Sequence, residues 1–476
     1  AMLLFVATSA IAALMPAPAA RIGRMAEGEA ALGFDFGTSG ARCAAIGADG
    51  APLCDDVSVT WGAARERSQS AADWVEALHA LLDAVPADVR SRVSRIGVSG
   101  TSGTCLLCDA ATRLPSHGRG PPRMYDFNVA KQARGDAGAR ALELIGAAAP
   151  PLHVARAGSS GLAKLVAWHF EDPLKPGEVL SHQAEFVASQ LLRPHSASPP
   201  FTSDWHNALK TGFDVRSLTW PEWLTNPSTE LGAIVAGRLP EVVPPGAPVG
   251  TVSDEVVQRW GLRPGCVVCA GTTDSNAAFL ASGATETGDA VTSLGSTLAI
   301  KMLSAVPVDD STRGVYSHRL GDLWLAGGAS NVGCAVLREE CFSPLELREL
   351  SEIIDPDMEP PVPGYYPLPR ATVGERFPVN EPDRLPVLTP VPESRTEFLH
   401  SILHAVGRVE AQGYGALASL GASPLRRVYT CGGGARNPTW TRMRQRMLGV
   451  DVEEAPRTEA AVGVALLALR GGGRSK

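Results

Sequence analysis

The feature that most constrains the fold of this chain is a glycine-rich turn that occurs twice. An apolar run over residues 31–36 enters a Gly-Thr-Ser-Gly turn at 37–40, and a second apolar run leaves it over 43–46. Residues 291–300 repeat this arrangement around a Gly-Ser-Thr turn. An apolar run on each side of a tight turn predicts a β-hairpin. The weak internal repeat therefore predicts two related α/β halves that face a cleft.

The two hairpins suit phosphate groups, but they are not equivalent. Glycines let backbone N–H groups approach a phosphate closely, and a nest of such groups binds anions. Asp35 precedes the first turn, where it could hold Mg²⁺ through oxygen or water ligands, whereas Ser293 has that place before the second turn. The first half of the chain therefore supplies the predicted metal ligand. An ordinary tight hairpin is the alternative at both places.

A third glycine-rich turn lies near the C-terminus. Residues 428–431 predict a strand that enters three consecutive glycines at 432–434. A helix is predicted to follow, with Asn437 as its N-cap and Pro438 in its first turn. Three glycines let a flat ligand lie against the backbone, which suits a nucleotide. A sterically tight strand–helix junction is an equally simple alternative.

Coarser patterns predict the other elements. Apolar residues recur at helical spacing over 74–85. The Pro-rich residues 355–392 predict irregular structure. Further helices are predicted over 154–170, 181–192, 274–281, 396–420 and 459–469, and further strands over 52–61, 95–100, 105–109, 266–270 and 450–455.

Composition limits the function. The chain has 476 residues and a net charge of −7, which predicts two or three domains and argues against nucleic acid or a membrane as a partner. Nine scattered cysteines indicate a reducing compartment. The pairs Cys105/Cys108 and Cys266/Cys269 have a zinc-ligand spacing, but they lie in apolar runs, and positions i and i+3 of a strand face opposite sides. Buried strand cysteines are therefore predicted at both pairs.

Residues 1–29 are predicted to be a targeting segment rather than part of the fold. The apolar stretch over residues 2–15 is too short to span a membrane as a helix. No basic residues precede it, as they would in a secretory signal, and arginines follow it before the first acid, Glu27. These properties favour an organelle, with the chloroplast or another plastid as the first expectation and the cytoplasm or the mitochondrion as alternatives.

The three glycine-rich motifs, in this order and at these separations, resemble the two phosphate motifs and the adenosine motif of the FGGY carbohydrate kinases. The resemblance covers residues 31 to about 470. It implies two actin-like (ribonuclease H-like) α/β domains facing a catalytic cleft, with a sugar-binding domain over 30–285 and a nucleotide-binding domain over 286–473. Segments similar to further family motifs lie at 161–168, 202–208 and 239–243.

The resemblance also implies the cofactors and the site. The expected cofactors are ATP and Mg²⁺, with Asp35 as a catalytic residue and the metal ligand. Asp274 stands where the family has its catalytic base, and a helix N-cap is its alternative role. The residues implied in ATP binding are Gly37, Thr38, Ser39, Gly295, Ser296, Thr297, Gly433, Gly434 and Asn437. Those implied in sugar binding are Asp126, Thr101, Ser102 and Asp274.

The sugar-binding residues have simpler alternatives, and the chain departs from the family there. Asp126 could be a solvated loop acid, while Thr101 and Ser102 could satisfy turn backbone. Ser275 follows the predicted base where the family often has Gln, and the segment around Asp126 lacks the usual Arg.

The spacing and the compact length are similar to those of the plant and cyanobacterial D-ribulose kinase branch, which is xylulose kinase-like. The prediction is therefore ATP-dependent phosphorylation of D-ribulose to D-ribulose 5-phosphate. The alternatives are a D-xylulose kinase and a catalytically weak nucleotide-binding sugar sensor. The expected partners are a small sugar and ATP.

Overall fold

The computed structural model describes residues 28–62, 69–193 and 201–471. Its strands are β1 (Ala30–Phe36), β2 (Gly40–Gly47), β3 (Val57–Thr60), β4 (Val93–Gly100), β5 (Cys105–Asp109), β6 (Glu178–His182), β7 (Thr202–Asp204), β8 (Glu241–Val243), β9 (Pro248–Thr251), β10 (Val267–Thr273), β11 (Asp289–Leu294), β12 (Leu298–Ser304), β13 (Tyr316–Leu320), β14 (Leu323–Ser330), β15 (Arg427–Cys431) and β16 (Asp451–Glu454).

The helices are α1 (Ala71–Ala84), α2 (Ala87–Arg90), α3 (Val129–Gln132), α4 (Ala137–Ala148), α5 (Gly161–Glu171), α6 (Gln183–Ser189), α7 (Trp205–Ala208), α8 (Glu222–Thr225), α9 (Glu230–Val235), α10 (Asp254–Trp260), α11 (Asp274–Ala281), α12 (Ala335–Glu339), α13 (Pro344–Ile353), α14 (Arg395–Ser419), α15 (Pro438–Leu448) and α16 (Ala460–Arg470). Short 3₁₀ turns lie at Val154–Arg156, Leu209–Thr211, Ser311–Arg313 and Gly433–Arg436.

Two six-stranded sheets organise these elements, and five strands of each follow the same order and directions. The first sheet has the order β3-β2-β1-β4-β10-β9, and the second has the order β13-β14-β12-β11-β15-β16. In each sheet an antiparallel hairpin (β1–β2 or β11–β12) precedes two strands that continue the sheet in parallel with the first strand of the hairpin (β4 and β10, or β15 and β16). The repeat predicted from the two glycine-rich turns is therefore confirmed.

The first hairpin is anchored by a core that α1 completes. Phe34 and Phe36 of β1 are fully buried and belong to the same core cluster as Trp74 and Leu78 of α1. The helix begins after Ser70, whose hydroxyl accepts a hydrogen bond from the backbone N–H of the third helical residue and completes a capping box. The helical spacing predicted over 74–85 is confirmed, with one apolar face against the sheet.

The last helix, α16, covers the other face of the first sheet although it follows the second half of the chain in sequence. A Cβ atom on Gly33 of β1 would lie 1.9 Å from the carbonyl oxygen of Ala461. A Cβ atom on Gly463 would lie 1.7 Å from the carbonyl oxygen of Ala277 in α11. Both approaches are between backbones, so they require glycine. The two sheets lie on either side of the predicted boundary at residue 285, but α16, which comes after that boundary in sequence, packs against the first sheet.

A buried ion pair joins the helices that cover the second sheet. Arg444 of α15 donates to both carboxylate oxygens of Glu410 in α14, over 2.6 and 2.7 Å. Arg444 also donates to the Thr430 hydroxyl of β15 over 2.9 Å, and the Thr292 hydroxyl of β11 donates to Glu410 over 2.5 Å. Both charged residues are fully buried. The network therefore fixes two helices against the strands that lead to the second hairpin and to the triple-glycine turn.

Two predicted helices in the first half are wrong in part. The start of the predicted helix 181–192 follows a different course, because β6 pairs with β5 and α6 begins only at Gln183. The predicted helix 154–170 divides into a 3₁₀ turn and α5. The division occurs at Ser160, whose hydroxyl accepts from the N–H of Ala163 over 3.0 Å as the N-cap of α5. Tertiary pairing and local capping therefore override the apolar spacing.

The remaining expectations have mixed outcomes. Cys105, Cys108, Cys266 and Cys269 are buried free thiols, and all except Cys266 lie in strands. In the described ranges, no helix is long and apolar enough to cross a membrane. The predicted targeting segment lies outside the described residues apart from Gly28 and Glu29, so its role stays a prediction.

Candidate active site

Two carboxylates lie at one edge of the first sheet. Strands β1, β4 and β10 run parallel, so their carboxyl ends meet at the same edge. Asp35 lies near the end of β1 beside Ser99 of β4, whose hydroxyl donates to its Oδ1 over 2.9 Å. Asp274 directly follows β10 as the first residue of α11. The structure therefore places the two predicted catalytic acids on either side of β4.

Asp35 is an unusually buried carboxyl group. Its side chain is 4% exposed. Burial, followed by the nearby negative charge of Asp274, raises its pKa to about 7, while the Ser99 hydrogen bond and Arg42 act in the opposite direction. The second oxygen, Oδ2, lies 3.7 Å from the position that a Cβ on Gly37 would occupy, on the side of the turn. A buried carboxylate with one oxygen toward the predicted phosphate turn would be stabilised electrostatically by a cation there.

This environment fits Mg²⁺. Mg²⁺ prefers one or two carboxylates together with waters and substrate phosphates over an all-protein cage. Within the described ranges, no three or more His, Cys, Asp or Glu side chains are grouped as metal ligands, and Asp35 alone is the group that would hold the ion. When bound, Mg²⁺ neutralises charge on phosphate oxygens.

Substitution Asp35→Asn should lower Mg²⁺-dependent turnover by at least about tenfold, because a bound metal contributes several kcal/mol to catalysis. The fold should be retained, since the change removes a buried charge. Because the pKa of Asp35 is higher in the folded chain than in the unfolded chain, protonated Asp35 favours the folded state. This contribution to the free energy of unfolding is fully present below pH 3.8 and is lost as the pH rises through about 7.

In Mg²⁺-free buffer, the Tm of Asp35→Asn should therefore rise relative to the wild type as the pH increases from about 4 to about 8. Thermal melts across this range and Mg²⁺ titrations of turnover measure both effects. Normal turnover at low Mg²⁺ would exclude the metal role of Asp35.

The first hairpin turn is held by its carbonyl groups. The indole N–H of Trp61 donates to the Gly37 carbonyl over 3.0 Å. The amide of Gln69 donates to the carbonyls of Gly37 and Thr38 over 3.3 and 3.2 Å. The N–H groups of Thr38 and Ser39 have no partner among the described residues. The amide of Gly37 is predicted to bind phosphate together with that of Thr38, but the Gly37 N–H donates to the Gly40 carbonyl over 2.9 Å, which leaves the N–H groups of Thr38 and Ser39 for a phosphate. No sequence motif signals Trp61 and Gln69, the two side chains that support the turn.

The second hairpin turn is supported in the same way from α12. The N–H groups of Cys334 and Ala335 donate to the carbonyls of Gly295 and Ser296 over 2.8 and 3.2 Å. The guanidinium group of Arg338 donates to the Ser296 hydroxyl over 2.9 Å. Ser296 and the adjacent Thr297 are exposed. Hydrogen bonds to their carbonyl groups thus fix both predicted phosphate turns, while the residues at the tips stay exposed or half-buried.

The triple-glycine turn lies against the second hairpin. Gly432 has a φ of +88°, and a Cβ atom there would lie 2.6 Å from the carbonyl oxygen of Leu294. A Cβ atom on Gly434 would lie 2.6 Å from the ring of Trp440, whereas one on Gly433 would meet nothing within 4 Å. Only glycine allows the first of these contacts. The predicted adenosine turn and the second phosphate turn are therefore neighbours.

Asn437 caps the helix that follows this turn, as predicted. Its Oδ1 accepts from the N–H of Trp440 over 3.0 Å, and its Nδ2 donates to Ser351 of α13 over 2.8 Å. Pro438 is the first helical residue. The side chain of Asn437 is engaged by α13 and α15, so the predicted contact of Asn437 with adenosine stays a prediction.

Asp274 is not the N-cap of its helix. Thr273 has the N-cap position, and Asp274 is the first helical residue, with Oδ1 accepting from the N–H of Ser275 over 2.6 Å. The capping alternative is therefore wrong. Burial raises the pKa of Asp274, while that hydrogen bond, Lys301 and Lys210 act against the rise. The positive end of the α11 dipole also favours the ionised carboxylate.

Two lysines that the sequence analysis did not single out face this acid. Lys301 of β12, in the second half, donates to Ser275 Oγ over 3.1 Å and to Asn276 Oδ1 over 2.8 Å. Lys210, in the 3₁₀ turn after α7, interacts electrostatically with Asp274 and Lys301. The two halves of the chain therefore both contribute an ammonium group beside the predicted base.

A neutral histidine also bridges the halves here. His206 Nε2 lies 2.6 Å from the carbonyl oxygen of Arg319, and Nδ1 lies 2.7 Å from the hydroxyl of Thr272. Because a carbonyl can only accept, Nε2 carries the proton and Nδ1 accepts from the hydroxyl. Burial lowers the pKa of His206 to about 4. The neutral imidazole thus connects β10 and β13 through two hydrogen bonds, and it does not act as a general acid.

The predicted sugar residues lie on two segments that one buried lysine joins. Lys164 of α5 is fully buried and donates to the carbonyls of Gly103 and Met124 over 2.7 Å each. Burial lowers its pKa to about 8, an effect that the nearby Asp126 opposes. Asp126 itself is exposed. Lys164 thereby holds the loop after β4 close to the segment that carries Asp126.

The hydroxyl of Thr101 is engaged inside the protein. It lies 2.5 Å from the Thr104 hydroxyl and donates to Gln183 Oε1 over 3.0 Å. Ser102 is half-buried, and no residue of the described ranges accepts its hydroxyl proton. The contacts of Thr101, Ser102 and Asp126 with a sugar stay predictions.

The comparisons with known proteins agree with this architecture. Residues 290–471 match the family model for the C-terminal domain of the FGGY family of carbohydrate kinases. A xyloylose kinase from Brucella ovis has a TM-score of 0.76 at 21% identity, over 94% of this chain and 91% of that chain. A xylulose kinase from Rhodospirillum rubrum has a TM-score of 0.72 at 20% identity, over 94% and 92%.

Plasmodium falciparum glycerol kinase with ADP has a TM-score of 0.69 at 15% identity, over 92% of this chain and 89% of that chain. At these identities the likeness shows the fold. The predicted fold class, an α/β fold with two actin-like domains, is therefore confirmed.

Proposed function

We propose that this chain, whose residues 290–471 match the C-terminal domain of the FGGY family of carbohydrate kinases, transfers the γ-phosphoryl group of ATP to a hydroxyl group of a small ketose. One observation carries the proposal. Asp35 near the end of β1 and Asp274 directly after β10 lie at one edge of the first sheet, on either side of β4, and Lys301 connects the helix of Asp274 to the hairpin that carries the predicted second phosphate turn.

The proposed roles of these residues suit phosphoryl transfer. The transition state is loose, so positioning and charge stabilisation contribute more than covalent chemistry. The N–H groups of the two turns would bind phosphate oxygens, and the open backbone at Gly433 would receive the base of the nucleotide. Asp274 would accept the proton of the attacking hydroxyl, for which an ionised carboxylate suffices because the proton leaves late. Closure of the two domains would exclude water.

The proposed acceptor is D-ribulose, phosphorylated at its terminal hydroxyl. The loop after β4 offers short hydroxyl side chains at Thr101 and Ser102, and the neighbouring segment offers one acid at Asp126. Short polar groups with few tight contacts suit a small acyclic polyol, and they predict a KM in the upper part of the usual ~1 μM–1 mM range or above it. D-Xylulose is the second candidate, because several solved structures with this fold are named as xylulose kinases.

A substrate panel tests the proposal. ADP release should be strongly stimulated by a sugar, and kcat/KM should be highest for D-ribulose among D-ribulose, D-xylulose, L-ribulose and glycerol. Epimers should differ because the wrong hydroxyl leaves buried polar groups of the site unpaired. A higher kcat/KM for D-xylulose would replace the acceptor but retain the kinase. Nucleotide binding with no sugar-dependent ADP release would instead favour a nucleotide-binding sugar sensor.

A further inference from the structure

The two lysines beside Asp274 are not explained by the proton transfer alone. Lys301 uses two of its three N–H groups on Ser275 and Asn276, and it forms no ion pair with a carboxylate in the described ranges. Lys210 lies against the loop after β4, where its Cδ is 3.6 Å from the position of a Cβ on Gly103. Its ammonium group has no hydrogen bond to any residue that the structure describes. Each lysine therefore retains donors for a ligand.

The charges at this place do not balance. Burial lowers the pKa of both lysines, that of Lys301 to about 8, and the two ammonium groups oppose one another. Asp274 is the carboxylate that compensates them. The facing imidazoles of His206 and His318 are neutral, because burial lowers the pKa of each. Two half-buried ammonium groups thus share the carboxylate of Asp274, since Asp35, the other acid near Asp274, has a pKa raised to about 7 and does not act on either lysine. A neutral sugar would not correct the excess of positive charge.

A buried polar group next to Asp274 is also left without a partner. Asn276 is 0% exposed, and its Nδ2 has no hydrogen-bond partner in the described part of the chain. Its Oδ1 accepts from Lys301, so the amide is oriented by the same ammonium group. Buried donors without partners are rare in native proteins. Unsatisfied donors and excess positive charge at one place together indicate a missing anionic ligand.

We propose that the ammonium groups of Lys210 and Lys301 bind the phosphoryl group during its transfer and then the phosphate of the sugar-phosphate product. This inference rests on the proposed function. In the step, the acceptor oxygen forms a bond to the γ-phosphorus, and the bond from that phosphorus to the β–γ bridging oxygen breaks. The electron pair of the broken bond leaves with ADP, and the hydroxyl proton passes to Asp274. The charge that spreads over the equatorial oxygens is then stabilised from both halves of the chain.

Lysine-to-methionine variants separate this role from sugar binding. Lys301→Met and Lys210→Met should each lower kcat by ~10²–10³-fold, the range seen for loss of one donor to transition-state charge. The KM values for sugar and ATP should stay within a few-fold. Lys301→Arg should retain most of kcat because it keeps the charge. Lys131→Met, at an exposed position of α3, should have no effect. Because Lys210 makes no hydrogen bond in the described ranges, its variant tests the proposal even if Lys301→Met fails to fold.

Binding and pH measurements give readouts that a structural role would not move. In calorimetry without ATP, D-ribulose 5-phosphate should bind at least about tenfold more weakly to either Met variant, with unchanged D-ribulose affinity. The wild-type kcat should fall as the pH rises through about 8, where Lys301 loses its proton, and Lys301→Arg should move this limb to higher pH. Unchanged kcat in both Met variants, or losses confined to the sugar KM, would overturn the proposal. If the wild type phosphorylates no sugar, the proposed function is wrong. The calorimetry with D-ribulose 5-phosphate then still shows whether the two lysines bind a phosphate group.

Discussion

Asp274→Asn is expected to lower kcat for sugar phosphorylation by about 10²–10⁴-fold, the usual contribution of a positioned base. The amide keeps the shape of the side chain and can still accept from the N–H of Ser275, but it cannot take a proton from the attacking hydroxyl. The affinity for ATP should stay within a few-fold, because the phosphate turns and the triple-glycine turn are untouched. Steady-state kinetics and nucleotide calorimetry on one preparation measure both quantities.

The chain offers a matched control for this variant. Asp254 is likewise the first residue of a helix, α10, but it is exposed and pairs with Arg193 over 2.6 Å. Asp254→Asn should therefore leave kcat unchanged. Near-normal turnover of Asp274→Asn would remove Asp274 from the mechanism.

The pH dependence of the wild type gives an independent check on Asp274. A base must be ionised, so the rate falls as the pH drops through its pKa. Burial raises that pKa above the ordinary value of 3.8, and the acidic limb of kcat should lie correspondingly higher. The limb should be absent from any residual activity of Asp274→Asn.

The parts of the fold that the sequence predicts correctly are those that local patterns determine. The two hairpins and the cap at Asn437 depend on glycines, apolar runs and a capping residue that are neighbours in the chain. The sequence analysis predicts no strand at β6 and begins a helix within it, at residue 181, because the extended form of β6 depends on pairing with β5, far away in sequence. The position of α16 on the first sheet likewise depends on tertiary packing. Its only sign in the sequence is the glycine at positions 33 and 463, where the close backbone approach requires it.

The residues of the candidate site likewise differ in how far the sequence identifies them. Asp35 and Asp274 stand at positions to which the family resemblance gives a role, whereas Lys210 and Lys301 lie outside the matching segments, and Lys164 lies in the segment 161–168, where the resemblance gives it no role. A usable signal existed for two of the lysines. Lys301 is the charged residue of the otherwise apolar strand β12, and Lys164 interrupts the apolar face of α5. A charge in an apolar run is costly to bury unless it has partners or a function. Trp61 and Gln69, which support the first turn, gave no such signal.

Arg444→Met is expected to destabilise the second half of the chain by about 3–5 kcal/mol, because it leaves the carboxylate of Glu410 buried without its partner. The pair is fully buried, and its hydrogen bonds connect α14 and α15 to β11 and β15. These strands end at the second phosphate turn and at the triple-glycine turn, so the ATP KM should also rise. Denaturant unfolding of the variant and ATP kinetics below its transition measure the two effects.

Two further variants separate the loss of the buried ion pair from the loss of an arginine on α15 in general. Arg442→Met removes an arginine from the same helix, but that arginine is exposed and pairs with Asp357 at the surface, so the cost should stay below about 1 kcal/mol. The double variant Glu410→Leu/Arg444→Met replaces both charges with apolar groups and should be more stable than Arg444→Met alone, since a buried ion pair and an apolar replacement are often close in free energy. If Arg444→Met costs no more than Arg442→Met, the buried pair does not hold the two strands. If the double variant is stable but keeps a raised ATP KM, the network acts on the geometry of the nucleotide site rather than only on the stability of the fold.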